Sequence, residues 1–343
     1  MAGMAGRIAA VGIAVGLGLS AACSGPGTAP VTAEELLSSV LAAEPGPFGG
    51  TVELDNTLGL PPLPQLPQAA DGTSTARVWS DGAGRGRVSI PSDTGERTLV
   101  TDGEAFWAWN SADRTVVRRP VGDRPNEAVT DPTVAATEAL AALRPTSIIS
   151  VDGTAEVAGR PAYELVLAPA PTERTLLREV RIAVDAEKRL PLRLTVLANG
   201  SSEPAVQIGF SDLTFGPQDP ELFTFTPPPG ATVEEAEPHG ATVEEAEPRG
   251  ADRQPDGATV GEGWDTVLVT TLPTGTETGT REPGSQSREG APFDLSAFGT
   301  PVSGPWGNGR LISTNVAGAI ITDDGRVAAG AVPEQVLTEA LAR

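Results

Sequence analysis

The chain has 343 residues, 45 acidic side chains against 24 basic ones, and a formal net charge of −21. This charge repels nucleic-acid phosphates and anionic membrane surfaces, so we expect no nucleic-acid partner. The one cysteine, Cys23, and the one histidine, His239, exclude an internal disulfide, a His/Cys zinc site and any triad that does not use His239. We therefore expect no metal, no cofactor and no enzyme, although chemistry by paired carboxylates stays open.

Residues 1–22 have the pattern of a secretory signal peptide, because basic Arg7 precedes a short apolar run that ends in small residues. The next residue is Cys23, and LSAAC resembles a bacterial lipobox. Acylation of Cys23 would anchor the protein to the outer face of the cytoplasmic membrane. Leu19 lies one position further from the cysteine than usual, however, and Ser20 and Ala22 also suit ordinary signal peptidase, which would give a secreted protein. Residues 23–30 form a Gly/Pro tether.

A helix is predicted to begin at Thr32, since Thr32 and Glu35 form a capping box and Leu36 and Val40 share an apolar face. It should end before residue 45. A strand at residues 50–55 alternates apolar and acidic side chains. The apolar residues 58–67 are rich in proline, which removes ladder donors. They are therefore either a connector along the rim of the core or a functional lid.

Residues 73–119 carry turn signals between short stretches with apolar side chains at alternate positions, which predicts an antiparallel meander. Its strands are predicted at residues 77–79, 87–90, 98–101, 106–109 and 115–117. Three of the five tryptophans lie in this meander. Asp131 and Pro132 then begin a second predicted helix, which runs to residue 143.

A second β region follows, with strands predicted at residues 148–151, 155–157, 162–168, 180–185, 192–197 and 205–210. Because helices interrupt the strands rather than alternate with them, residues 31–230 are predicted to be an α+β domain. The sequence GATVEEAEP then occurs twice, at residues 230–238 and 240–248, and residues 231–258 are predicted to be a disordered acidic linker. Residues 259–343 predict a small α+β module, with strands at 263–271, 311–315, 319–322 and 326–332 and a terminal helix at 333–341.

Two predicted strands are apolar on both faces: Tyr163 and Leu165 oppose Val166 in one, and Phe106 opposes Trp107 in the other. Such a strand either needs cover on both faces or leaves a groove for a ligand. Cover by helices and by the other β region explains the pattern equally well.

The order of helix, strand, meander, helix and hairpins resembles the LolA-like superfamily over residues 31–233. The most characteristic pieces are DGEAFWAWN at residues 102–110 and VAGRPAYEL at residues 157–165. This superfamily includes the lipoprotein carrier LolA, LppX and the amino-terminal domain of RseB/MucB. The resemblance implies an incomplete antiparallel β-barrel, a half-barrel, whose apolar face is covered by helices and holds acyl chains. The acidic linker and the lipid anchor depart from the family pattern.

The resemblance also implies a function and a site. It implies an extracytoplasmic carrier or acceptor for the acyl chains of lipids or lipoproteins. The alternative is an RseB-like regulator that binds a single-span anti-sigma factor and senses envelope lipid or misfolded protein, since RseB-type members carry a smaller second domain. The implied cavity candidates are Val78, Trp79, Val88, Ile90, Leu99, Phe106, Trp107, Trp109, Tyr163 and Leu165.

Overall fold

The computed structural model describes residues 31–59, 71–92, 94–121, 141–236, 257–271 and 299–343. This part of the chain is mostly β, with a twelve-stranded sheet and a six-stranded sheet. The twelve strands are β1 (Phe48–Asn56), β2 (Gly72–Ser80), β3 (Gly86–Ser92), β4 (Gly95–Thr101), β5 (Ala105–Asn110), β6 (Thr115–Pro120), β7 (Ser147–Val157), β8 (Arg160–Pro169), β9 (Leu177–Asp185), β10 (Pro191–Ala198), β11 (Pro204–Phe215) and β12 (Thr232–Glu235). The six are β13 (Ala258–Val260), β14 (Val267–Thr271), β15 (Thr300–Gly304), β16 (Gly307–Ser313), β17 (Gly318–Thr322) and β18 (Arg326–Gly330).

The large sheet has the order β12-β6-β5-β4-β3-β2-β1-β11-β10-β9-β8-β7. Every neighbouring pair is antiparallel except β12 and β6, which are parallel. The sheet is curved so strongly that β7 approaches β11, although three strands separate them in the order. The two end strands, β12 and β7, do not pair with each other, so the sheet is large, curved and unclosed. The meander predicted for residues 73–119 is confirmed as β2 to β6.

The predicted first helix is confirmed as α1 (Ala33–Leu41) with its capping box. The Thr32 hydroxyl accepts a bond of 3.2 Å from the Glu35 amide, and the Glu35 carboxylate accepts one of 2.9 Å from the Thr32 amide. Leu36 is fully buried against Tyr163 and Leu165, so α1 lies on β8 and its neighbours. Most of the predicted second helix and most of the proline-rich segment lie outside the described residues, although residues 141–143 are helical.

The sequence prediction differs from the structure at the first copy of the repeat. Residues 231–258 were predicted to be a disordered linker, but Thr232–Glu235 form edge strand β12. The backbone of this segment pairs with β6, and two side-chain contacts accompany the pairing: Arg118 forms an ion pair of 3.1 Å with Glu235, and the Arg114 side chain donates to the Pro229 carbonyl. The second copy lies outside the described residues. The two strands predicted at 148–151 and 155–157 form one strand, β7, with an irregular register after Val151.

The six-stranded sheet has the order β13-β14-β18-β17-β16-β15, and the terminal helix α2 (Glu334–Leu341) packs on it. The predicted apolar stripe of this helix is confirmed, because Val336, Leu337, Ala340 and Leu341 are all buried with Ile320. The predicted pairing of residues 311–315 with 319–322 is confirmed as β16 with β17. The short strands β13 and β15 were not predicted.

The two sheets contact each other through polar and apolar groups at one end of the large sheet. The Trp264 indole donates to the Ser147 hydroxyl over 2.7 Å, and the Thr175 hydroxyl donates to the Ala331 carbonyl over 2.6 Å. Val316, in the turn between β16 and β17, is buried in a cluster with residues from the ends of β10 and β11. We call this the joint end of the large sheet, marked by Ser147, Ala198 and Ala205.

Candidate ligand-binding face

The strand registers assign the side chains of the large sheet to two faces, because directly paired residues point to the same side and successive residues point to opposite sides. One row of paired residues runs across five strands of the meander: Val78, Val88, Leu99, Ala108 and Val117. A second row crosses the other half of the sheet: Leu54, Ile208, Leu194, Ile182, Leu165 and Val151. We call the side that carries both rows the aliphatic face.

These two rows belong to one face because β1 joins the two halves of the sheet. Val78 pairs with Gly50, and Gly50 and Leu54 lie an even number of residues apart on β1. A third row of Val206, Val196, Val180, Leu167 and Ile149 adjoins the second toward the joint end. Every side chain named in the three rows is aliphatic. The sequence therefore places aliphatic rows on one face of both halves of the sheet, and over the meander polar residues such as Arg97 and Thr101 flank the row on the same face.

Burial differs along the aliphatic face. At the β7 to β9 end, Tyr163, Leu165 and Val184 are buried under α1, with Leu36 between them. Over the meander, in contrast, Val78, Val88, Leu99 and Val117 are only half-buried. Ile208, in the middle of the sheet, is 41% exposed. A large apolar surface that is left half-buried is typical of a binding site.

The opposite side is the tryptophan face, which carries Trp79, Trp107 and Trp109. The segment at residues 216–230 lies over its meander half. There the Phe225 ring packs 5.5 Å from the Trp107 ring, and Phe223 is 1% exposed. Val100 and Val116, which alternate with half-buried residues of the aliphatic face, are fully buried beneath this cover. The part of the tryptophan face around Val100 and Val116 is therefore buried within the chain itself.

Hydrogen bonds to Asp102 also hold Trp107 in place on the tryptophan face. The Asp102 carboxylate accepts hydrogen bonds from the Ala105 amide at 2.7 Å and from the Trp107 indole at 2.7 Å. Burial alone would raise the pKa of Asp102, but these bonds and one from the Glu104 amide outweigh it, so the pKa lies below its ordinary value. An open groove of about 620 Å³ on this face is lined by both polar and apolar groups, among them Arg87, Glu96 and Trp109. Its mixed lining does not suit an acyl chain.

The end of the aliphatic face opposite the joint is rich in cations. Arg119 lies on this face at the end of β6, paired with Phe106. In the loop after β9, the Lys188 ammonium lies 5.9 Å from the Phe215 ring and the Arg189 guanidinium lies 4.9 Å from the Tyr163 ring. We call this the arginine end, marked by Arg119, Arg189 and Phe215.

Asp185 organises the loop that carries Lys188 and Arg189. Its fully buried carboxylate pairs with Arg160 and accepts backbone bonds from Glu187 at 2.8 Å and Lys188 at 2.6 Å. Burial would raise the pKa of Asp185, but the bonds from Arg160, Lys188 and Glu187 outweigh it and hold the pKa below its ordinary value. The charge of Arg160 is thereby balanced within the loop.

The ten predicted cavity residues lie on both faces of the sheet. Seven of them lie on the aliphatic face: Val78, Val88, Ile90, Leu99, Phe106, Tyr163 and Leu165. The other three, Trp79, Trp107 and Trp109, lie on the tryptophan face. Each tryptophan is adjacent in sequence to an apolar residue that lies on the opposite face. In β5, both faces are covered or half-covered. Sequence alone could not decide which face was closed.

Several residues of the aliphatic face were not among the predicted candidates. Leu54, Ile208, Leu194 and Ile182 continue the face beyond the meander. The alternation within each predicted strand indicates that its apolar residues share a face. Only the pairing of strands across the sheet shows that this is the face of Val78 and Leu99. Cys23 and His239 lie outside the described residues. Within the described ranges, no group of three or more His, Cys, Asp or Glu side chains could hold a metal ion, and no helix is long and apolar enough to cross a membrane.

Solved structures that match the chain include MucB and LolA-superfamily proteins, the groups that the sequence resembles. The Pseudomonas aeruginosa MucA/MucB complex matches with 18% identity and a TM-score of 0.49, over 90% of this chain and 96% of that one. A LolA superfamily protein from Nitrosomonas europaea matches with 14% identity and a TM-score of 0.26, over 57% and 99%. An uncharacterised protein from Thermus thermophilus matches with 15% identity and a TM-score of 0.37, over 60% and 99%. No protein-family model and no curated protein matches.

Proposed function

We propose that this chain is an extracytoplasmic protein that binds the acyl chains of lipids or lipoproteins on the aliphatic face, as on the inner face of a half-barrel. The observation that carries the proposal is the half-buried row of aliphatic side chains across the meander, together with the aliphatic rows in the middle of the sheet. The described segment 216–230 packs against the tryptophan face of the meander strands. The aliphatic surface on the other side is therefore not needed for that packing.

The size of the face suits an acyl chain. Along β1 it extends from Phe48 to Asn56, which at a rise of about 3.3 Å per residue is roughly 26 Å. An acyl chain spans about half of the ~30 Å hydrocarbon core of a bilayer. One chain therefore fits along the strands, and the width of the sheet provides room for more than one.

A chain-length series tests the proposal. Each methylene buried in an apolar site contributes about 0.8 kcal/mol, so shortening a single-chain ligand by two methylenes should weaken binding about tenfold. Displacement of a fluorescent fatty acid by alcohols or acids of twelve, fourteen and sixteen carbons measures this dependence. Native mass spectrometry of the purified chain should also show co-purified lipid.

A substitution on the aliphatic face, paired with a matched control, tests whether the ligand binds on this face. Ala108 lies in the middle of the meander row, so Ala108→Trp should fill the face and weaken binding about tenfold or more. Ala112 lies in the exposed turn after β5, and Ala112→Trp should leave binding unchanged. Equal affinity for all chain lengths, or equal affinity of both variants, would contradict the proposal.

The second candidate is contact with a membrane-bound partner protein, as an RseB-like regulator makes. The observation that favours it is β7, an edge strand of eleven residues with Ile148 55% exposed. Such an edge can add a strand from another chain. The structure of MucB has been solved in complex with MucA, but a similarity with a TM-score below 0.5 does not identify the partner of this chain. Capture of one single-span protein that Ser150→Pro abolishes would support this candidate.

The anchoring proposal concerns Cys23 alone. Acylation of Cys23 would hold the protein on the outer face of the cytoplasmic membrane, whereas ordinary signal cleavage would release it. Labelled palmitate should enter the wild-type chain and not Cys23→Ala. Incorporation that survives the substitution would overturn the anchor without affecting the acyl-binding proposal.

A further inference from the structure

The open groove on the tryptophan face lies at the end of the meander that carries the β3–β4 hairpin and the turn after β5. Its volume of about 620 Å³ is within the range of about 300–1,000 Å³ that is usual for small-molecule sites. Trp109 and Thr98, which pair across β5 and β4, line the groove from the sheet. Phe225 and Pro228 line it from the segment 216–230. A ligand here is separated by the sheet from the proposed acyl chain.

A carboxylate is held in position in this groove. The hydroxyl groups of Ser89 and Thr98 both donate to the Oε1 atom of Glu96, over 2.6 and 2.8 Å. The Glu96 backbone is fixed as well, because its amide donates to the Ser111 hydroxyl over 2.7 Å and its carbonyl accepts from the Ser111 amide over 3.0 Å. The second carboxylate oxygen, Oε2, has no hydrogen-bond partner among the described residues. The groove therefore presents an acceptor whose place is set by its neighbours.

The groove also carries donors. Arg87 lines it from β3, two residues before Ser89 and on the same face. The bonds from Ser89 and then Thr98, together with the nearby charge of Arg87, hold the pKa of Glu96 below its ordinary value, so its carboxylate is charged at neutral pH. Within the described ranges, neither the Arg87 guanidinium nor the Trp109 indole donates a hydrogen bond to another residue.

The charges of the groove cancel. Arg87 and Glu96 are the two charged residues among the described residues that line it. The other lining groups are aromatic rings, prolines, a glycine and hydroxyl side chains. The groove thus combines an aromatic surface, a free acceptor and free donors without a net charge.

We propose that this groove binds a neutral carbohydrate, with one sugar ring lying on the Trp109 ring. A sugar ring has C–H groups that pack on an aromatic ring, and its hydroxyl groups both donate and accept hydrogen bonds. Oε2 of Glu96 would accept from one hydroxyl, and Arg87 and the Trp109 indole would donate to others. An acidic or a basic ligand would leave one of the two groove charges unfavourably placed. This inference goes beyond the acyl-binding function and does not rest on it.

A proline-rich peptide is the main competing ligand, because such peptides dock in grooves lined by aromatic side chains. A run of prolines offers carbonyl acceptors and no N–H donors. It would use Arg87 and Trp109 but leave Oε2 of Glu96 without a partner. A basic residue in the peptide would pair with Glu96 but would also meet the charge of Arg87. The presence of a donor and an acceptor side by side therefore favours a sugar.

Calorimetric titration of the purified chain with neutral trisaccharides tests the proposal. The probes are maltotriose, cellotriose, mannotriose and the trimer of N-acetylglucosamine, and decaproline is the peptide probe. We expect at least one trisaccharide to bind with a Kd of about 1 mM or below and decaproline not to bind. Absence of binding by all four sugars at about 10 mM, or binding of decaproline alone, would overturn the proposal.

A conservative substitution connects the binding to the groove. Glu96→Gln keeps an oxygen for Ser89 and Thr98 but replaces the free acceptor with an N–H donor, so it should weaken sugar binding about tenfold. Glu104→Gln removes the same charge from an exposed residue outside the groove and should change nothing. Equal affinity of the wild-type chain and Glu96→Gln would contradict the proposed site.

The aromatic surface is tested by Trp109→Ala, which should weaken sugar binding at least tenfold, or about 1.4 kcal/mol. Trp109 pairs with buried Val116, so circular dichroism checks that this variant is folded. If it is not, Trp109→Phe keeps a ring but removes the indole donor, and it should weaken binding several-fold.

The two faces of the sheet should bind their ligands independently. Ala108→Trp, which fills the aliphatic face, should leave sugar binding unchanged, and Glu96→Gln should leave acyl binding unchanged. Loss of both ligands in Glu96→Gln would show that the groove is not a separate site and would overturn this inference. If the chain binds a trisaccharide but no acyl ligand, the acyl-binding function fails and the carbohydrate site stands.

Discussion

The two faces of the meander differ although they are built from the same strands. On the tryptophan face, Val100 and Val116 are almost completely buried, and Phe223, in the segment that lies over this face, is 1% exposed. On the aliphatic face, the neighbouring Leu99 and Val117 are half-buried. Both faces are rich in apolar groups, so hydropathy does not distinguish them. Within the described residues, the segment 216–230 lies over the tryptophan face.

This comparison indicates a division of roles within the sheet. The covered face supplies the packing that stabilises the meander, since apolar burial stabilises in proportion to the area removed from water. The half-buried face then remains available for a ligand that can bury it. Substitutions on the two faces should therefore have different effects, the first mainly on stability and the second mainly on binding.

The largest expected effect is on stability, from the cover of the tryptophan face. Phe223→Ala should lower the free energy of unfolding by about 3–5 kcal/mol, because it leaves a cavity over fully buried side chains. Urea denaturation measures the loss, and Phe225→Ala, whose ring is only half-buried, should cost less. At temperatures where the variant is folded, acyl binding should be unchanged. A loss below about 1 kcal/mol would show that this face is not the closed core.

The sharpest comparison uses two adjacent valines of β6. Val116→Ala, on the closed face, should lower the free energy of unfolding by about 2 kcal/mol and leave acyl binding unchanged. Val117→Ala, on the aliphatic face, should cost less than half as much stability and weaken acyl binding several-fold. The substitution is the same in both, so each variant is the control for the other. Equal losses of stability with no difference in binding would remove the distinction between the faces.

Much of this fold could be predicted from local sequence signals. The capping box at Thr32, the turns of the meander and the stripe of Val336 and Leu337 in the last helix are local features, and each occurs where predicted. Strand β12 was missed because its order comes from long-range contacts, among them the ion pair of Arg118 with Glu235. A short acidic repeat carries no local sign of that pairing.

The candidate site was only partly predictable, for a similar reason. Alternation places Leu99 and Val100 on opposite faces, but it does not show which face residues 216–230 cover. The resemblance implied the tryptophans as cavity residues, and in the structure the Trp107 ring packs 5.5 Å from the Phe225 ring on the opposite face.

A smaller effect, which depends on pH, is expected at Asp102 on the closed face. Its pKa is lowered in the folded chain, so its contribution to stability is fully present above the ordinary carboxyl pKa of about 3.9 and is lost as the pH falls through the lowered value. Asp102→Asn removes the charge and leaves one accepting oxygen where the carboxylate has two, so it cannot accept from both the Trp107 indole and the Ala105 amide. It should lower the free energy of unfolding by about 1 kcal/mol at pH 7 and by progressively less as the pH falls below 4. Urea denaturation across this pH range measures the difference in the free energy of unfolding. A loss of stability that does not change with pH would show that the charge of Asp102 does not contribute.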